Sequence, residues 1–93
     1  MNNYEEIEKQ GFENVVSILR EAKEKHCFIN LSQVRKNMCS IRKSLASLEN
    51  WAALFCTSDE ELKKVQSRTA LLQGRLRGYK YIQDYCKGKN VNI

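Results

Sequence analysis

The chain contains no proline, only four glycines and a single histidine among its 93 residues. Without proline and with few glycines, nothing interrupts long helices, and the abundance of Leu, Lys, Glu, Ala, Gln and Arg favours them. No stretch approaches the roughly 18 consecutive apolar residues that cross a bilayer. The opening Met1-Asn2-Asn3-Tyr4-Glu5-Glu6 is acidic and polar, unlike a secretory or transit leader, so the expected compartment is a reducing cytoplasm with no membrane partner. Cysteine pairs at metal-ligand spacing are missing too. Cys27, Cys39, Cys56 and Cys86 are separated by 12, 17 and 30 residues, whereas zinc sites in short chains use close pairs. His26, Cys27 and Cys86 are the one set that helix pairing would gather, and a fourth ligand is not evident. The sequence therefore points to no metal and no cofactor. No nucleophile elbow, phosphate loop or paired carboxylates are present either, so the chain is read as non-enzymatic, without catalytic residues.

What is present is an apolar seam. Leu31, Val34, Met38, Ile41, Leu45, Leu48, Ala52 and Phe55 follow one another in steps of three and four, which draws one continuous stripe along a helix. A first helix, at about 3–25, carries Tyr4, Ile7, Gly11, Val15, Ile18 and Ala22 as its stripe, widened by Phe12 and Leu19. Glu5, Glu6 and Glu8 lie in its opening turns, where the helix dipole favours anions. Gly11 within that stripe hints at a close backbone approach or a kink.

His26–Asn30 reads as the connection to a second helix at about 31–56, with Asn30 or Ser32 as the cap. A continuous helix through this segment also fits the pattern. Thr57-Ser58-Asp59-Glu60-Glu61 then offers a capping box, Thr57 with Glu60 or Ser58 with Glu61. The third helix, at about 59–87, carries Leu62, Val65, Thr69, Leu72, Leu76, Tyr79 and Cys86 along its seam. Leu71, Ile82 and Tyr85 flank that seam, and Gly88 follows as its terminator. The short junction implies antiparallel neighbours. The expected architecture is a single all-α domain over residues 1–93, three helices dominated by a long antiparallel αα-hairpin.

The packing residues, whether inside the chain or between copies, are Val34, Met38, Ile41, Leu45, Leu48, Phe55, Leu62, Val65, Leu72 and Leu76. Ala70, Gly74 and Gly78 fall four apart, and they either admit a close helix neighbour or are tolerated on an open face. A hairpin with wide apolar stripes has surface to spare, so a homo-oligomeric bundle is expected.

Charge alternates in blocks. Residues 25–47 carry five bases and no acid, residues 48–62 four acids and no base, and residues 63–93 eight bases and one acid, within a net +5. Arg75, Arg77 and Lys80 interleave with Tyr79, Tyr81 and Tyr85, and Lys87 and Lys89 follow. On the second helix Arg35, Lys36, Arg42 and Lys43 form two stripes. Folding the hairpin about Ser58 sets these groups at one end, where cations and phenol rings suit nucleic acid or a nucleotide. The competing reading lays the acidic first helix on the second, with Glu13, Glu21 and Glu24 offsetting its cations.

The run from Asp59 to Gly74, DEELKKVQSRTALLQG, resembles the final helix of small all-helical proteins encoded by tailed bacteriophages. That resemblance implies a phage setting, a host-cytoplasmic location and an oligomeric helical hairpin. Such proteins act as virion or assembly parts, as inhibitors of host machinery, or by sequestering host signalling nucleotides. It implies a host or virion protein as partner and assigns no residue a role.

Overall fold

A computed structural model of the chain describes residues 3–55 and 57–87. Cys56, Gly88 and Lys89 lie outside them. The described residues form three helices, α1 (Asn3–Glu24), α2 (Leu31–Phe55) and α3 (Asp59–Cys86), and no strand. They pack into a body of 48 × 29 × 21 Å.

Each helix end has a local cause. The chain leaves α1 through His26, whose φ of 54° is the left-handed conformation. The Cys27 amide donates to the Ala22 carbonyl at 2.9 Å and the His26 amide to that of Lys23 at 3.3 Å. This is a Schellman closure with histidine in the place glycine usually takes, and it breaks the helix between α1 and α2. Asn30 opens α2, its side-chain oxygen accepting from the Gln33 amide at 3.2 Å. Ser58 caps α3, accepting from the Glu61 amide at 3.2 Å. Glu61 returns the contact to the Thr57 amide at 3.3 Å, one residue before the cap, so the box is made by Ser58 and Glu61 in a shifted form.

Packing centres on α3, which has two working faces. Leu72 and Gly74 are both buried although they sit about 200° apart around the helix. The Gly74 side faces α1. A β-carbon at Gly74 would collide with the Glu8 carbonyl, and one at Gly78 would stand 2.7 Å from the Val15 β-carbon. Gly11 answers from α1, where a β-carbon would meet the Leu71 carbonyl at 2.5 Å. The spaced glycines thus serve an intramolecular contact and give α1 a backbone-close seat.

Contacts advance together along the pair. The Tyr4 hydroxyl donates to Gln66 at 2.9 Å, Phe12 meets Tyr81, and Lys23 lies over Tyr85; α1 and α3 therefore run in the same direction.

The acidic helix lies chiefly along α3; its Cα atoms stay more than 8 Å from those of α2, and the two helices meet through side chains in the core. Glu13 pairs instead with Arg20 of α1 itself, and Glu21 with Lys25 just past its end. The α1 stripe is also rotated from its expected centre: Val16 is almost wholly buried, while Ile18 is exposed.

On its other side α3 meets α2. Ser47, Leu48 and Trp51 lie against Lys64, Val65 and Arg68, and Val34 and Met38 cluster with Ile82, Val15 and Leu19. The start of α2 and the ends of α1 and α3 converge on that cluster, which is the core. From there the α2 seam opens step by step: Val34, Met38 and Ile41 are buried, Leu45 and Leu48 half-buried, and Phe55 exposed.

Candidate functional site

Phe28 and Ile18 are exposed elsewhere, but most of the exposed large apolar side chains lie at the open end of the seam. Tyr4 reaches Gln66, so the α3 residues before Gln66, about two turns, lie beyond that contact. α2 runs beside them, and α1 reaches their level through Ile7, across an open groove. Trp51 (44% exposed), Leu54 (75%), Phe55 (60%) and Leu62 (41%) collect at this tip, and the Trp51 and Phe55 rings lie 6.3 Å apart. Four large exposed apolar side chains bordering one helix junction are of the kind that marks a contact surface.

Two open grooves run back from the tip on either side of one cationic ridge. The first, about 480 Å³, is lined by Ser47, Leu48 and Trp51 of α2 and by Lys64, Val65 and Arg68 of α3. The second, about 460 Å³, has Ile7 of α1 for its far wall and Lys63, Lys64, Ser67, Arg68 and Leu71 for the rest. Lys64 and Arg68 belong to both. They sit one turn apart on the same face, and neither joins an ion pair among the described residues. Apolar walls around unpaired cations suit an amphipathic polypeptide that carries its own acids.

The basic residues singled out from the sequence are distributed differently. Arg77 donates to Glu8 at 2.7 Å and lies over the Phe12 ring, so α1 occupies it. Arg75 is half-buried and about 200° around the helix from Arg77; the two face different flanks. Tyr79, Tyr81 and Tyr85 pack against the core cluster. Lys80, Arg35, Lys36, Arg42 and Lys43 are exposed, with Arg35 and Arg42 on one stripe of α2 and Lys36 and Lys43 on the next.

Among the packing residues, Val34, Met38, Ile41 and Leu72 are buried, Leu45, Leu48, Val65 and Leu76 half-buried, and Phe55 and Leu62 exposed. The groove residues that were not singled out include Trp51, Lys64 and Arg68. Their signal was present as the lone tryptophan, in a stretch rich in apolar residues and next to the acidic junction.

Elsewhere, chemistry has little to work with. His26 serves as the left-handed cap of α1. Cys27 and Cys86 line one cavity with Leu19, Phe28 and Tyr85, while Cys39 is exposed on α2. Among the described residues no three His, Cys, Asp or Glu side chains gather closely enough to hold a metal ion. Glu21 has its carboxyl held below the usual range by the hydrogen bond from Lys25 and then by that ammonium's charge, a surface effect far from the tip. No helix of the described residues is long and apolar enough to cross a membrane.

Comparison of the chain with models of known families, with curated proteins and with solved structures yields no match.

Proposed function

We propose that this is a non-catalytic interaction protein, built on an antiparallel α2–α3 hairpin, that works by packing its tip onto another polypeptide. One observation carries the reading. Trp51, Leu54, Phe55 and Leu62 are left in water beside two grooves that share the unpaired Lys64 and Arg68. A bundle that needed only its own fold would gain by replacing these side chains with polar ones, since exposed aromatics favour association.

Binding of a phosphate-bearing ligand through Arg75, Arg77, Tyr79, Lys80 and Tyr81 draws less support. Arg77 is engaged by Glu8, and the tyrosine rings are engaged by the core. The two readings part on salt. Phosphate contacts weaken steeply as salt rises, whereas apolar packing at the tip does not.

The test is the triple substitution Trp51→Ser, Leu54→Ser and Phe55→Ser, followed by thermal unfolding of dilute protein. If these side chains serve a partner, the monomer's stability changes by no more than about 1.5 kcal/mol in total, as for exposed positions. A loss of about 4 kcal/mol or more would mean that they serve the monomer's own fold. The reading would then fail.

A further inference from the structure

We infer that the occupant of the tip is a second copy of this chain, docked head to head about a two-fold axis. The inference rests on the docking role proposed above and names the partner. A two-fold contact joins the same patch on both molecules, so the patch must complement itself. This one does, and the order of charges along the chain is the reason. Residues 48–62 contain Glu49, Asp59, Glu60 and Glu61 and no base, while the next six contain Lys63, Lys64 and Arg68 and no acid.

Glu61 is committed to the α3 cap, but Glu49, Asp59 and Glu60 join none of the ion pairs among the described residues. The turn is therefore acidic and the groove behind it basic. Along α3 the acids come first and the bases follow within two turns. Two α3 starts laid side by side in opposite directions, overlapping about Leu62, set Glu60 of each copy beside Lys64 of the other. The same overlap turns the Trp51–Phe55 aromatic pair of each copy, whose Trp51 shares a groove with Lys64, toward the partner.

The same charges argue against an anionic membrane as occupant. Glu49, Asp59 and Glu60 are exposed and flank Trp51, Leu54 and Phe55 in the sequence, and a negative surface would repel them. Four exposed apolar side chains are also few next to the roughly 20–30 residues a side of a standard interface. The dimer is thus a reversible one, whose population follows concentration.

The experiment uses the full chain, with sedimentation and tryptophan emission read across concentration. The expected result is a monomer–dimer equilibrium that goes no further, with Trp51 emission moving to shorter wavelength as dimer forms. Glu60→Lys alone and Lys64→Glu alone should each weaken self-association about tenfold, because attraction becomes repulsion at both symmetric contacts. Mixing the two single variants should restore association, since each contact across that mixed pair again joins opposite charges.

Four results overturn the inference. They are a wild type that stays monomeric at every concentration, a dimer indifferent to both substitutions, a mixture that does not recover, and binding to phosphatidylserine vesicles in place of dimerisation. None of them touches the stability test above, so the docking role can stand while the second copy falls.

Discussion

At one end of the molecule three helices meet around Val15, Leu19, Val34, Met38 and Ile82; at the other, two helices run on with the third across an open groove, and Trp51, Leu54 and Phe55 face water. The apolar spacing along α2 is the same at both ends. What differs is coverage. Leu19 and Ile82 are almost fully buried because α1 and α2 both close on that end of α3. Leu48 and Val65 are only half-buried because a single neighbour cannot enclose a helix stripe. A regular seam therefore specifies a surface to be covered without specifying who covers it.

The contrast can be broken most severely at the closed end. Ile82→Ala removes a fully buried side chain from the junction of all three helices and should cost about 4 kcal/mol in denaturant unfolding. Gly74→Ala should cost about 3 kcal/mol. The added methyl meets the backbone of Glu8, and no rotamer change relieves a clash with backbone. Its effect should be visible as weakened packing of Phe12 on Tyr81, read by near-ultraviolet circular dichroism. If both substitutions prove neutral, the packing of α1 on α3 is wrong. The tip stands at the small end of the scale, where the triple serine variant should change monomer stability least and association most.

Much of this architecture was legible beforehand. The three-and-four spacing marked α2, and the Thr57–Glu61 run marked the start of α3 through chemistry confined to neighbouring residues, with Ser58 and Glu61 the pair that forms. The double-sided nature of α3 was not legible. Ala70, Gly74 and Gly78 announced that something comes close, but spacing alone does not say whether that neighbour is another helix of the chain, a copy or solvent. For the same reason the acidic first helix was weighed against the cations of α2, while Glu8 in fact reaches Arg77.

The candidate site escaped a count of charges because Lys64 and Arg68 do not stand out among 16 basic residues. What distinguishes them is their place in both open grooves beside the tip, which only the packing of the three helices creates.

The glycine-lined seat of α1 also sets an order of events. Tyr4 finds Gln66 across 62 positions and Glu8 finds Arg77 across 69, whereas α2 and α3 are joined by a short turn. Long closures carry the greater chain-entropy cost and lag behind local ones. The first of the three helices, synthesised before the other two, is then the last piece to settle. Pulse-labelling of amides during refolding would contradict this if residues 8–19 gained protection before residues 34–41 did.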